Sequence, residues 1–197
     1  MDKLVAATRN ENKIREIREI LGEYYDVISM DDAGVPGEAE ETGTSFEENA
    51  LLKARYVMEK TGMAAIADDS GLEVDALGGE PGIYSARYSG GHGDDEANNA
   101  LLLRKLEGVS VPRTARYVAA LALVRPGKPD ICRRGTCEGE ILTAPQGHGG
   151  FGYDPLFLCE TGRTFAEIDA VTKNAISHRR RGIDAVLSAL KEEKCTG

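Results

Sequence analysis

The chain has no run approaching the roughly 18 apolar residues of a membrane-spanning helix, and its opening MDKLVAATRN lacks the apolar segment and small-residue cleavage site of a secretory signal. These absences predict a cytoplasmic protein. Positive charge is also scarce: 24 Lys and Arg stand against 33 Asp and Glu, a formal net charge of -9. Such a balance excludes a general nucleic-acid backbone binder, whose affinity comes from many Lys and Arg contacts. One small phosphorylated ligand, held by a few placed cations, remains open. Cysteine occurs four times, without C-x-x-C spacing and without the crowding of a small secreted scaffold, so reduced thiols are expected. No internal repeat, low-complexity segment or separating linker interrupts the chain.

What is present is an ordinary globular composition. Its 197 residues, 41% hydrophobic and 29% charged, suffice for one large domain or two closely joined lobes with a sizeable core. KLVAAT reads as a buried strand, and the segment after it places Ile14, Ile17 and Leu21 at helical spacing, with Asn10 as N-cap and Gly22 as stop. DVISMDDAGVPGEAEETGT follows, a short strand and then a Gly/Pro/Glu-rich loop. SFEENALLKARYVMEKTG is a second helix, with Ser45 and Glu48 spaced as a capping box. MAAIA is a second buried strand, and DDEANNALLLRKLEG a third helix. RYVAALALV and ICRRGTCEGEIL suit two antiparallel strands, TAPQGHGGFGYDPLF a loop, and TKNAISHRRRGIDAVLSALKEE one long final helix. Strand-helix units followed by antiparallel strands imply a mixed sheet flanked by helices.

Several clusters carry chemistry. TRNENK puts Thr8, Asn10 and Lys13 at a strand-helix junction, where backbone N–H groups and the helix dipole attract phosphate. A cap and a solvated lysine would give the same pattern. AIADDSGLEVDALGG places Asp68 and Asp69 side by side at the end of a strand, and two adjacent carboxylates repel unless a cation or water faces them. An Asp-rich turn is the plainer reading. With Glu38, Glu40 and Glu41 nearby, the pair would make a hard-cation site, since magnesium favours one or two carboxylates plus phosphate oxygens. GHGGFGYDP combines glycines that permit close backbone approach with Phe151 and Tyr153, which could stack on a flat ligand. On the last helix Arg179 falls within the face of Ile176, Ile183, Val186, Leu187 and Leu190, so its guanidinium points inward and must be paired. It serves either an anion or carbonyl, together with Lys173 and His178, or an internal carboxylate.

Taken together, ATRNENK, EETGTSFEENALLKA, AIADDSGLEVDALGGEPGIYSARYSG, GGFGYDPLF and KNAISHRRR, in that order along nearly the whole chain, resemble the inosine triphosphate pyrophosphatase or Ham1-like family, specifically its bacterial members. The resemblance implies a single domain over residues 1–197 with an elongated α/β fold, a central mixed sheet and two lobes with a cleft between them. It implies a homodimer that hydrolyses ITP, dITP and XTP to monophosphate and pyrophosphate with magnesium (Mg2+). Asp69 matches the catalytic carboxylate that activates water and touches the metal; Asp68 and Glu40 match metal-binding positions, with Glu41 an adjacent candidate. Thr8, Asn10, Lys13, Lys53 and Ser70 would hold the triphosphate, and Lys173 would lie near phosphate or sugar. Arg9, where many members have glycine, falls within the same substrate-binding stretch. Phe151, Tyr153 and the backbone of Gly152 would flank the base, while Asp154, His178 and Arg179 would read its 6-keto edge. A Maf-type pyrophosphatase is the competing enzyme, disfavoured by the SHR and FGYDP segments, and a regulator without turnover would not need the carboxylate-lysine set.

Overall fold

In the computed structural model all residues except His92 and Gly197 are described, with side chains to Glu193; Cys195 lies outside the described side chains. The chain forms β1 (Lys3–Ala6), α1 (Glu11–Leu21), β2 (Asp26–Ser29), α2 (Phe46–Thr61), β3 (Ala64–Val74), α3 (Asp95–Lys105), β4 (Thr114–Val124), β5 (Ile131–Ile141), β6 (Phe157–Cys159), α4 (Ala170–Ile176) and α5 (His178–Thr196). Strand order in the mixed six-stranded sheet is β2-β1-β3-β4-β5-β6. β1 pairs in parallel with both β2 and β3, each reached through a helix, as parallel crossovers require.

Local signals fix the first helices. Asn10 caps α1 by accepting from the N–H groups of Asn12 and Lys13, and Ser45 caps α2 by accepting from Glu48 N. The expected capping box is displaced by one residue: the Glu48 carboxylate takes the N–H of Thr44 at 2.7 Å.

Three features differ from the sequence reading. β3 does not stop at the aspartates but runs through them to Val74. The final helix is two helices, because Ser177 adopts an extended conformation (ψ 154°) that turns the chain between α4 and α5. The loop expected to end at Phe157 runs into a strand there: Phe157 opens β6, a three-residue strand antiparallel to β5.

By contact density the chain divides into two units, Met1–Asp69 with Ala119–Gly135 and Arg179–Gly197, and Ser70–Val118 with Thr136–His178. In the first, α1 and α5 pack Ile14, Ile17, Leu21, Ile183 and Val186 with Leu4, Ile66 and Leu121. In the second, Leu102 of α3 and Leu106 just after it share a core with Leu72, Tyr117, Tyr153, Phe157 and Phe165. Burial at about 25 cal/mol per Å² of apolar surface is what holds each helix to its partners.

Candidate active site

Strand geometry resolves the aspartate pair. Successive residues of a strand point to opposite faces, so Asp68 and Asp69 do not oppose each other. Asp68 is buried, with Oδ1 at 2.7 Å from Lys13 Nζ and Oδ2 at 2.7 Å from Arg179 Nε. Burial works against its charge, but Arg179 and then Lys13 overcome that and hold the carboxyl well below the usual carboxylate range. Arg179 also pairs through Nη1 with Glu16, a buried acid of α1 that the sequence reading did not single out. Lys13, Asp68, Arg179 and Glu16 thus form one buried chain of alternating charge.

On the other side of β3, Asp69 Oδ1 accepts from Lys53 Nζ at 2.6 Å, and Lys53 reaches Glu41 at 3.0 Å. Burial raises the proton affinity of Asp69 above its ordinary value, with the Lys53 ammonium opposing. Burial opposes the charge on Lys53, but Asp69 and then Glu41 outweigh it and keep it protonated. An ammonium has three donors. Lys53 gives two to these carboxylates, and Lys13 two to Asp68 Oδ1 and the Asp68 carbonyl, so these contacts take two of the three donors of each.

The strand-helix junction is built from within. Thr8 Oγ1 accepts from Asn10 N at 3.1 Å. Arg9 straps the loop after β2, donating to Asp31, Glu38 and the carbonyls of Val35 and Gly37. Through those contacts its guanidinium orders the acidic loop. Ser70 follows on β3, half-buried.

The second unit holds the other predicted residues. Asp154 is buried; its Oδ2 accepts from Lys173 Nζ at 2.6 Å and Phe151 N at 2.9 Å, and its Oδ1 from Tyr117 at 3.1 Å. Burial raises its proton affinity, with Lys173 opposing. Lys173 Nζ also sits 4.5 Å from the centroid of the Phe151 ring, a cation–π distance. Gly152 is clipped by α3, its N–H donating to Asp95 at 2.6 Å and its carbonyl accepting from Asn99 at 2.9 Å. With φ of 63°, it adopts a conformation that favours glycine. Asp95 and Asn99 are one helical turn apart, a spacing that would have flagged the pair had the partner glycine been known.

Tyr153 is buried in the core, its hydroxyl donating to the Ser85 carbonyl at 2.7 Å. Arg179, with 1% of its side chain exposed, has its guanidinium on Asp68 and Glu16, so the internal-carboxylate alternative is the one the structure contains. His178 stays in the second unit, stacked on Tyr117.

Among the described residues no group of three or more His, Cys, Asp or Glu is gathered as a metal site. Both oxygens of Asp68 face cations of the buried network, Lys13 and Arg179. Glu40 lies exposed on the loop, next to Glu41.

A model of the Ham1 family matches residues 4–189 of the chain. This protein belongs to the Ham1 family. It is 52% identical over 186 residues to the dITP/XTP pyrophosphatase of Geobacter sulfurreducens, covering 93% of this chain and 94% of that one. The fold is similar to that of the Staphylococcus aureus Ham1 protein, with a TM-score of 0.87 and 41% identity over 97% of this chain and 99% of that one. It is also similar to the Mycobacterium abscessus nucleoside-triphosphatase / dITP/XTP pyrophosphatase, with a TM-score of 0.77 and 45% identity over 94% and 98% of the two chains. The predicted residues divide by chemistry: a lysine-carboxylate cluster lies in the first unit, and an aromatic, glycine-rich loop in the second.

Proposed function

We propose that this protein hydrolyses non-standard purine nucleoside triphosphates, dITP, XTP and ITP, to the nucleoside monophosphate and pyrophosphate. One observation carries the reading: Asp69 is a carboxylate of raised proton affinity held between the buried interior and the Lys53 ammonium at 2.6 Å. A general base works best when its proton affinity approaches that of the medium. Water attacks the α-phosphorus, its proton passes to Asp69, and the bond to the bridging oxygen breaks so that pyrophosphate leaves with the electron pair. No covalent intermediate is needed, because phosphoryl transfer depends on positioning and charge neutralisation. The remaining donors of Lys13 and Lys53 address the triphosphate, as does the Thr8–Asn10 junction with Ser70. In the second unit Phe151 and the Gly152 backbone meet the base, Lys173 lies beside them, and His178 donates to its keto oxygen. Asp154 orders this loop from behind.

The donor set fits magnesium. Glu41 and Asp69 already share one cation, the Lys53 ammonium, and one or two carboxylates with phosphate oxygens are what magnesium takes. Asp69 and Glu41, with Glu40 beside them, would hold it. When bound, it supplies neutralisation of phosphate charge. Reading the chain as a single working domain follows from the family match across residues 4–189. Action on a cytoplasmic nucleotide pool is supported by Cys132, Cys137 and Cys159, none of which is in a disulfide. A homodimer follows from the family resemblance and is checked by light scattering.

The test is pyrophosphate release from dITP, XTP, dATP and dGTP with magnesium titrated to saturation. Release from dITP and XTP at least tenfold faster than from the standard nucleotides is expected; equal rates on all four would overturn the reading.

A further inference from the structure

Tyr117 lies on β4 within a strand whose pattern says no more than core. Its ring stacks on His178, with centroids 4.8 Å apart and planes 11° from parallel, and on Phe165 at 5.6 Å and 8°. Its hydroxyl donates to Asp154 Oδ1 at 3.1 Å. A phenylalanine would complete the same aromatic stack, so packing alone does not call for the hydroxyl. A buried hydroxyl costs stability unless it is hydrogen-bonded, and here its partner is a carboxylate already loaded by Lys173 and the Phe151 N–H.

The terminal torsions of Asp and His are broad rather than sharply staggered. Each needs an outside contact to fix its plane. For Asp154, Tyr117 holds one oxygen while Lys173 and Phe151 N hold the other, which sets the carboxylate plane. For His178, the parallel stack sets the imidazole plane. We infer that Tyr117 is a positioning residue for purine selection: it orients the His178 ring and the Asp154 carboxylate, and through Asp154 the Phe151 loop and Lys173. The inference rests on the reading of this unit as the base site.

The test compares Tyr117→Phe, which keeps the stack and loses the hydroxyl, with Tyr117→Leu, which loses both. On dITP, Tyr117→Phe lowers kcat/KM about tenfold, equal to about 1.4 kcal/mol, while the slow rate on dATP changes less than twofold. The dITP:dATP ratio therefore narrows, and in Tyr117→Leu it narrows further. A merely structural role would lower both substrates by the same factor in both variants, and that result overturns the inference. A second readout needs no turnover. In the wild-type protein the His178 ring resonances, assigned with His178→Gln, carry the ring-current shift of a parallel stack; they move in Tyr117→Leu and stay in Tyr117→Phe. Unmoved His178 signals in Tyr117→Leu would end the inference whatever the enzyme hydrolyses. Wild-type protein without dITP preference but with the expected shifts would instead reject the base-site reading and leave the ring contact standing.

Discussion

Replacing Arg179 with Met separates two accounts of that residue by stability. The side chains involved are almost wholly removed from water, with exposures of 1% for Arg179, 0% for Asp68 and 7% for Glu16. Methionine fills similar volume but leaves Glu16 without the guanidinium and Asp68 with Lys13 as its remaining charged partner. Removing one member of a buried ion pair costs about 3–5 kcal/mol, because the remaining charge stays desolvated. For a chain of this size about 2–4 °C of melting temperature accompanies each kcal/mol, so a fall of roughly 6–20 °C is expected in a thermal scan, with a matching loss in urea titration. Adding Glu16→Leu recovers at least half of the loss, since an apolar replacement of a whole buried pair is often near neutral. The sign with pH follows from Asp68. Its folded affinity for protons is depressed, so its stabilisation is present above its unfolded value of 3.8 and is lost as pH falls through the folded value. Arg179→Met weakens that depression, and the stability gap between wild type and variant narrows as pH drops below about 3.8. A loss under about 1 kcal/mol, combined with relaxed discrimination between dITP and dATP, would refute the buried-network account and return Arg179 to the base edge.

Other consequences are equally measurable. Asp69→Asn lowers kcat by roughly 10² to 10⁴ at saturating magnesium with an unchanged melting curve, the range expected for a lost general base; activity within a few-fold of wild type would move the role elsewhere, and Ser70→Ala, which removes a hydroxyl alone, should cost far less. Lys53→Gln removes the cation that opposes the raised proton affinity of Asp69, so the acid limb of the kcat/KM profile moves to higher pH; a limb that stays or moves down contradicts the pairing. Asn99→Ala removes one hydrogen bond to the Gly152 carbonyl, worth about 0.5–1.5 kcal/mol. That raises KM for dITP roughly two- to twelvefold with kcat nearly constant, and steady-state kinetics showing a kcat effect alone would dismiss the α3 clip.

What could be read from the sequence was what short range decides. Asn10 and Ser45 cap their helices through bonds spanning two or three residues, so local pattern suffices. The inward turn of Arg179 also followed from helix periodicity, and with it the need for a partner. The partner itself did not follow: Asp68 lies 111 positions away, and Glu16 farther still. The same distance explains the misread aspartates. With no view of Lys13 and Lys53, two acids followed by Ser and Gly are best accommodated by a turn, yet with a lysine on each face they continue the strand. The split at Ser177 escaped because Ser in a helical context carries no break signal of its own. Its extended backbone separates His178, which packs on Tyr117, from α4. The burial of Tyr153 was hidden for a related reason, since an aromatic in a glycine-rich loop looks accessible until the Ser85 carbonyl and the surrounding core are known.

The two aspartates show how one backbone geometry yields two chemistries from one residue type. Side by side on one face they would repel, and one would take a proton. Strand alternation sends them apart, and each then meets a lysine from a different helix, Lys13 of α1 or Lys53 of α2. The environments diverge from there. Asp68 receives Arg179 as well, which holds its proton affinity well below the ordinary carboxylate value and suits an anchor rather than a base. Asp69 has Lys53, and more weakly Lys13, against the cost of burial, and burial wins, so its affinity for a proton rises. A carboxylate that must accept a proton from water and release it again needs that second condition. The anchor serves it indirectly, because Asp68 fixes Lys13 on α1 while its neighbour across the strand keeps its raised proton affinity. Sequence adjacency here is a way of building both faces of the strand at the same height, and it would fail if either residue moved by one position along β3.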